Sequence, residues 1–380
     1  MNDETLAALL EIVHLPGLGP ARARWLLSEG EPQQVVMALR QRRVPVVAAE
    51  APTGVTRALL EKWFAAIGRG TGRDLLDAHR SAGIMLLGPD DPLWPFTDDP
   101  EPPVLLFGLG CPDALAVPHR VAVVGTRRCT SVGRNVAARL GEDLAAAGVC
   151  VVSGLALGID GAAHRGALEA AHPSCRPVAV VGAGLDRIYP PGNRALWAAL
   201  ADDGLILSEA PLGAPPERWR FPARNRLLAG LSSAVVVVES HERGGALLTA
   251  DEAAERGVVV LAVPGSVRSA ASVGSNGLLF DGCPPVRDVD DILAALGLDT
   301  SPVPARSGQV SSDWSSEMPR DGEIGRAVLS EAATGPVHVD TLVALSGQSV
   351  TSVLGCVRAL EDAGRIRLEG GWVHLGGSTR

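Results

Sequence analysis

Three features are missing from the sequence, and each absence excludes a class of protein. No stretch reaches about 18 uncharged apolar residues, so no segment is predicted to span a membrane. The N-terminus is acidic and lacks a basic region followed by a small-residue cleavage site, so no signal peptide is expected. The six cysteines include no Cys-x-x-Cys pair, which argues against disulfides and a zinc site. The sequence therefore predicts a cytoplasmic protein with neither a metal nor a cofactor.

Lysine is nearly absent as well. Lys62 is the only one, and arginines carry the other positive side-chain charges. This bias is more typical of genomic base composition than of selection for guanidinium chemistry. The net charge of −9 argues weakly against a nucleic-acid partner. Arginines nevertheless cluster at 120–134 and at 218–226, so an acidic chain can still present one basic groove.

Residues 1–80 have the pattern of a helical domain. The segment HLPGLGPARARWLLSEG combines a Pro-Gly-Leu-Gly-Pro turn with a helix that begins near Ala21. This pattern is typical of a helix-hairpin-helix or SAM-like module, in which backbone N–H groups of the turn hold a DNA phosphate. The alternative is a tight turn between two packed helices, because Gly permits a positive φ and Pro ends the preceding helix.

Residues 81–297 have the pattern of a doubly wound α/β domain. Two short apolar runs, GIMLLG and PVLLFG, are candidate strands that lead into it. Six Val-rich runs of strand length then follow, most of them alternating with Ala-rich helical stretches: VAVVG, VCVVSG, PVAVVGAG, LILSEA, AVVVVES and VVVLAVPG. Runs that are apolar throughout indicate strands buried on both faces, so a mostly parallel sheet covered by helices is predicted.

The C-terminal part begins with a Ser- and Pro-rich stretch, 298–320, that is predicted to be a flexible linker. Residues 321–380 regain helical periodicity and end in two short alternating strands around Gly370 and Gly371. This order predicts a winged-helix domain. Its recognition helix would be 349–364, which carries Arg358 against Glu361 and Asp362. A major-groove reader presents more basic and amide side chains, so a weak or absent role in reading duplex DNA is expected, and protein contact or dimer regulation is favoured.

The loops after the predicted strands are rich in Gly, Ser, Thr, Asn and Arg, and poor in acids. In an open parallel sheet, ligands bind outside the carboxyl ends of the strands. Glycine lets the backbone approach a phosphate, and arginine contacts it through two N–H groups. Trp219 and Phe221 lie among four arginines, a pattern typical of single-strand binding by charge and base stacking. The alternative is that both rings anchor the loop on the core.

Nucleotide and catalytic motifs are weak. The dinucleotide fingerprint is broken, because Gly125 and Gly133 do not fit G-x-G-x-x-G, and no P-loop motif exists. Ser153, Asp160 and His164 allow a triad to be imagined, but Asp160 is better placed as the N-cap of the next helix. No acid/base pair of carboxylates is indicated, and the chain is not expected to be an enzyme.

Taken in order, six of these loop motifs resemble those of the DNA-processing protein A (DprA/Smf) family of bacterial natural transformation. The matching stretches span about 119–285 and are VAVVGTR, SGLALGIDGAAHRGAL, VGAGLDRIYPPGN, LSEAPLGAPPERWRFPARNRLLAGLS, VVVVESHERGGALLTADEAAERG and AVPG…GSNGLL. The resemblance implies an extended Rossmann-like fold that binds single-stranded DNA, protects incoming DNA, forms homodimers and loads the recombinase RecA, without catalysis.

The resemblance also implies a set of DNA-binding residues. Gly125, Thr126 and Arg127 would hold phosphates, and Phe221 would supply the stacking ring. The other residues implied at the same edge are Arg128, Ser153, Gly154, Arg194, Arg218, Arg224, Asn225, Arg226, Gly245 and Thr249. For Arg128, exposure to solvent is the alternative.

Two departures from the family pattern affect this assignment. Where the family usually has S-G-S-L-I-T-A, residues 244–250 read GGALLTA and lack two hydroxyl groups. The family also tends to have lysine at some of its basic positions, so Arg218 would bind phosphate as a fork.

Two alternative functions use the same loops. A nucleoside-monophosphate phosphoribohydrolase of the lysine-decarboxylase-like group would need its P-G-G-x-G-T-x-x-E signature at 242–252, where the Pro and the third Gly are missing. A small-nucleotide sensor would not require two aromatic residues among four arginines.

Overall fold

The computed structural model describes residues 1–28, 30–44, 50–68, 71–172 and 175–298 and, in the C-terminal part, 325, 328–329, 332, 335–346, 349–363 and 365–375. The chain divides into two compact units, Met1–Thr300 and Ser301–Arg380. The predicted separation of 1–80 from 81–297 stays a prediction. Beyond Leu298, the predicted linker 298–320 lies outside the described residues.

The first unit is built on a mixed sheet of eight strands. They are β1 (Met85–Leu87), β2 (Leu106–Gly110), β3 (Arg120–Val124), β4 (Cys150–Ser153), β5 (Val178–Val181), β6 (Leu205–Ser208), β7 (Ala234–Val237) and β8 (Val259–Ala262). Their order is β1-β2-β6-β5-β4-β3-β7-β8. Strands β3 to β8 are parallel, whereas the β1–β2 and β2–β6 pairs are antiparallel. The prediction of a mostly parallel sheet is confirmed, and each of the six Val-rich runs forms a strand.

The parallel strands are apolar throughout because both faces of the sheet are covered. In β3, Val121 and Val123 belong to one core and Ala122 and Val124 to the other. Side chains alternate between the faces of a strand, so each residue from Val121 to Val124 is buried on one side or the other. Strand β7 pairs with β3 in register from Val121↔Ala234 to Val124↔Val237.

Helices cover the sheet and precede it. They are α1 (Asp3–Val13), α2 (Pro20–Leu26), α3 (Pro32–Arg40), α4 (Arg57–Ala66), α5 (Gly72–Ser81), α6 (Ser131–Ala146), α7 (Ile159–Glu169), α8 (Arg194–Asp203), α9 (Arg220–Gly230), α10 (Gly245–Glu255), α11 (Val273–Phe280) and α12 (Val289–Ala295). Short 3₁₀ helices cover Pro112–Ala116, Pro191–Asn193 and Ala270–Ser272.

The helical N-terminal region shares a core with the sheet. Leu9 and Leu10 of α1 and Leu76 of α5 lie in one hydrophobic cluster with Phe107 of β2. The predicted Gly-Pro turn is present, with Gly17 at φ +69° and Pro20 at the first position of α2. The role of this turn as a DNA-binding hairpin stays a prediction.

The second unit contains two described helices, α13 (Val339–Ser346) and α14 (Val350–Asp362), and a three-stranded sheet. The strands are β9 (Val337–His338), β10 (Ile366–Glu369) and β11 (Trp372–Leu375). Gly370 and Gly371, at φ +57° and +86°, form the two-residue turn of an antiparallel hairpin in which Glu369 pairs with Trp372. The predicted strands around these glycines are confirmed, and the winged-helix assignment stays a prediction.

Two searches of the described residues gave negative results. None of the described helices is both long enough and apolar enough to cross a membrane. Among the same residues, no group of three His, Cys, Asp or Glu side chains could hold a metal ion.

Candidate nucleic-acid interface

The candidate site lies at the carboxyl edge of the parallel strands. Strand β3 is followed in space by β4, β5 and β6 on one side and by β7 and β8 on the other. The chain thus changes direction across the sheet at β3, and the crevice at such a switch point is where open α/β sheets bind ligands. The loops after β3, β4 and β5 and the start of α9 meet beside this point.

Arg127 and Phe221 are brought into contact there, although they are almost 100 positions apart. The Arg127 guanidinium carbon lies 5.3 Å from the centre of the Phe221 ring. Tyr189, from the loop after β5, lies on the same ring at 5.4 Å between centroids. Arg127 is exposed and Phe221 is half-buried. A cation over an aromatic face contributes about 0.5–1 kcal/mol at exposed sites, so this contact helps to hold Arg127 in place.

Arg224 lies beneath this contact and is 8% exposed. It donates to the carbonyl oxygen of Val180, and its Nε has no hydrogen-bond partner among the described residues. Burial lowers the pKa of Arg224 to about 10, while Asp160 opposes that shift. The guanidinium is therefore charged at neutral pH. We refer to Arg127, Tyr189, Phe221 and Arg224 as the Phe221 cluster.

Gly154 leaves room for Arg224 and Asp160 to lie close together. The Asp160 carboxylate accepts the Gly154 N–H at 3.1 Å. A Cβ at position 154 would overlap the Arg224 guanidinium and lie 2.6 Å from Asp160 Oδ2. Burial raises the pKa of Asp160, whereas Arg224 and backbone N–H groups lower it. Only glycine leaves room for this arrangement.

The Phe221 cluster lines a pocket of about 80 Å³. Arg187, Gly154 and Gly182 also line it, and none of the described acidic side chains does so. Three arginines beside a half-buried aromatic ring suit a phosphate with a base stacked next to it. Tyr189 and Arg187 were missed by the sequence reasoning. The signal that could have found them is their place in LDRIYPPGNR, directly after a predicted strand.

Other predicted site residues lie in loops or at the first position of a helix, and the structure does not bring them into this pocket. Arg128, Arg194, Arg218 and Gly245 are exposed. The Arg128 N–H donates to Thr126 Oγ1 at 3.2 Å. Gly125 is crowded, because an added Cβ would lie 2.8 Å from the carbonyl oxygen of Glu239. Their DNA contacts stay predictions.

The remaining predicted residues are engaged inside the protein. Ser153 Oγ donates to the carbonyl oxygen of Val123 at 2.6 Å. Thr249 is buried in α10, and Asn225 Nδ2 donates to the carbonyl oxygen of Gly245 at 3.3 Å. Arg226 pairs with the carboxylate of Glu209 and donates to the carbonyl oxygen of Glu101 at 2.7 Å. Burial raises the pKa of Glu209, and Arg226 opposes that shift.

The three residues considered for a triad do not form one. Ser153 Oγ is bonded to the backbone of β3, and neither ring nitrogen of the buried His164 has a hydrogen-bond partner among the described residues. Burial lowers the pKa of His164 to about 3. The prediction that Asp160 caps α7 is wrong, because Gly158 is the N-cap and Asp160 is the second helical residue. The carboxylate instead turns back to Gly154.

The comparisons with known proteins agree with the loop motifs. The family model described as DNA recombination-mediator protein A matches residues 86–297. The chain is 34% identical over 330 residues to protein Smf of Synechocystis, which covers 78% of this chain and 81% of that protein. It is 39% identical over 315 residues to the putative DNA processing protein DprA of Mycobacterium tuberculosis, covering 77% of each.

Two solved structures are similar to the chain. The X-ray structure of DNA processing protein A from Streptococcus pneumoniae is 30% identical with a TM-score of 0.61, covering 76% of this chain and 97% of that one. The Helicobacter pylori protein, whose structure concerns its single-stranded DNA binding mode, is 29% identical with a TM-score of 0.50, covering 56% and 95%. The family model spans more than half of the residues in the chain, and the chain therefore belongs to the DNA recombination-mediator protein A (DprA/Smf) family.

Proposed function

We propose that the chain binds single-stranded DNA at the Phe221 cluster. The observation that carries this proposal is the pocket itself, whose lining among the described residues holds three arginines, a half-buried aromatic ring and no acidic side chain. Arginine at the rim and in the wall neutralises phosphates, and Phe221 stacks on a base whatever its identity. Tyr189 contacts the ring at 5.4 Å between centroids, so the ring is held in place without a bound strand.

The descriptions of the relatives support a DNA strand as the ligand. The Helicobacter pylori protein is described by its single-stranded DNA binding mode, and the Mycobacterium tuberculosis and Streptococcus pneumoniae proteins are described as DNA processing proteins. Those descriptions belong to those proteins. They favour a DNA strand over a small nucleotide as the ligand of this chain.

Removal of the rim guanidinium tests the proposal. Arg127→Ala is expected to lower the affinity for fluorescein-labelled oligo-dT, measured by fluorescence anisotropy, by about tenfold, since charged contacts are worth about 1.5–3 kcal/mol. The slope of log K against log[salt] should fall by about 0.7 for the lost phosphate contact. Arg139→Ala is the matched control, because Arg139 is an exposed arginine in the middle of α6, roughly 12 Å along the helix from its start.

Arg224→Ala tests the wall of the same pocket and should also weaken binding. Because Arg224 is buried, circular dichroism must show that the variant is folded. Unchanged affinity in both folded variants would rule out this pocket as the DNA site.

We further infer that the bound strand is protected and passed to the recombinase RecA by a homodimer without catalysis. The family description as a recombination mediator supports this role. With an oligonucleotide coated by single-strand binding protein, the chain should shorten the lag in RecA-dependent ATP hydrolysis, and Arg127→Ala should not. Slower nuclease digestion of bound oligo-dT and the mass of a dimer in light scattering test the other two parts. A monomer with full loading activity would contradict the dimer.

A further inference from the structure

A carboxylate of the chain itself occupies the N-terminal end of α6. Glu239 follows β7 and is 6% exposed. Its Oε2 accepts the backbone N–H of Thr130 at 2.9 Å, and its Oε1 accepts the Thr130 hydroxyl at 2.6 Å. Thr130 is the N-cap of α6, and its Oγ1 accepts the N–H of Gly133 at 3.0 Å. The start of this helix is therefore satisfied from within the protein.

This is the position at which doubly wound sheets commonly bind a nucleotide phosphate. The β3–α6 connection is the first strand-to-helix turn of the parallel sheet, beside the switch point, and a helix N-terminus favours an anion. A Cβ at Gly133 would overlap the Glu239 carboxyl group, so the carboxylate lies directly against the first turn. A phosphate at the same place would meet a buried like charge. The Glu239 carboxylate thus occupies the helix N-terminus at which such a phosphate would bind.

The same residue holds both ends of the loop that carries Arg127. The carbonyl oxygen of Glu239 accepts the N–H of Thr126 at 2.7 Å, and its carboxylate holds Thr130. Arg127 lies between these two anchors, with its side chain exposed and its guanidinium over Phe221. A loop that is fixed at both ends within four residues loses little conformational entropy when it binds a ligand.

We propose that Glu239 is a positioning residue for the DNA contact of Arg127. The buried carboxylate acts as an internal anion that caps α6 and sets the loop so that Arg127 faces the strand. The Glu239 side chain does not touch DNA. This inference rests on the proposed function of the Phe221 cluster.

Replacement of the carboxylate by an amide tests the proposal in the full chain. Glu239→Gln keeps the size of the side chain and removes its charge, so the bonds to Thr130 weaken from charged to neutral. Affinity for fluorescein-labelled oligo-dT should fall by about fivefold, the equivalent of roughly 1 kcal/mol. Glu242→Gln is the matched control, because Glu242 is an exposed glutamate three residues further on, and its affinity should stay within about twofold of the wild type.

A double-mutant cycle separates positioning from general destabilisation. If Glu239 acts through Arg127, Glu239→Gln should change affinity by less than about twofold in the Arg127→Ala background. An equal loss of affinity in both backgrounds would overturn the proposal. Wild-type affinity of Glu239→Gln alone would also overturn it.

A second variant tests the same contact if Glu239→Gln does not fold. Thr130→Val removes the hydroxyl that donates to Glu239 Oε1 and leaves the carboxylate in place. It should lower affinity only when Arg127 is present, and unchanged affinity would overturn the proposal.

Failure of the proposed function is distinguishable from failure of this inference. If Arg127→Ala binds oligo-dT as tightly as the wild type, the proposed DNA site is wrong. If Arg127→Ala loses affinity and the Glu239 and Thr130 variants do not, the DNA site stands and Glu239 is only a structural residue.

Discussion

Two places on the same carboxyl edge of the sheet carry side chains of opposite charge. At the start of α6, a buried carboxylate from Glu239 satisfies the helix, so the place is closed to a further anion. Beside β4 and β5, the described residues that line the pocket of the Phe221 cluster include three arginines and no acid. The parallel strands that lead to both places are short, mostly apolar and mostly buried. The difference is that the chain itself satisfies the start of α6, whereas the arginines of the Phe221 cluster are the groups proposed above to bind an anionic strand.

The largest effect should come from Arg226, the buried arginine of α9 that does not line the pocket. Arg226→Ala leaves the buried Glu209 without its partner, so the free energy of unfolding should fall by about 3–5 kcal/mol. Urea denaturation followed by circular dichroism measures this loss. The control is Arg220→Ala on the same helix, whose partner Glu217 is half-exposed, and it should cost about 1 kcal/mol or less. Equal losses in the two variants would show that the Arg226 pair is not a structural anchor of the edge.

A smaller effect should come from the buried histidine beneath the loop after β4. The pKa of His164 is about 3 in the folded protein and about 6.5 in the unfolded chain. Between pH 7 and pH 5 only the unfolded state takes up this proton, so folding stability is lost as the pH falls. The loss from His164 alone should be about 2 kcal/mol over this interval.

The measurement is urea denaturation at both pH values for the wild type and for His164→Leu. The variant should lose about 2 kcal/mol less than the wild type on acidification. The same substitution at His119, a half-buried histidine, is the control. If His164→Leu and the wild type show parallel pH dependence, the histidine is not buried in its neutral form.

The smallest effect concerns the stacking ring. Phe221→Leu keeps an apolar side chain but removes the flat face, so affinity for oligo-dT should fall by about fivefold, near the lower limit for one stacked base. Phe64→Leu is the control, because Phe64 also lies under an arginine, with Arg42 at 5.2 Å, but on the N-terminal helices. Equal affinities of the two variants in the anisotropy assay would show that the cation–π contact at Phe221 is structural only.

Much of the fold could be predicted because it depends on local patterns. A run such as VAVVG is apolar at every position, and strands of that kind are stable only when both faces of a sheet are covered. The hairpin at Gly370 and Gly371 could be predicted for a similar reason, since its turn needs two residues with positive φ.

The site was predictable only in part. Arg127, Phe221 and Arg224 were named from their motifs, and the structure brings them together in one pocket. Tyr189 and Arg187 were missed because their place after a strand indicates only the edge of the sheet. The sequence of their loop does not show that they line one pocket with Phe221. Asp160 was assigned to the wrong position, because the N-cap preference of aspartate is local, whereas its place here depends on Arg224 and Gly154.

The sequence by itself determined the family, the strands of the sheet and the supply of arginines and glycines at its carboxyl edge. Only the tertiary structure decided which charges are free to bind a ligand and which are already paired. Arg224 and Arg226 are two residues apart on one helix, yet Arg224 Nε has no hydrogen-bond partner among the described residues, whereas Arg226 is held by Glu209. The physical reason is that the neutralisation of a buried charge depends on partners from distant strands and loops, and spacing along the chain does not specify them.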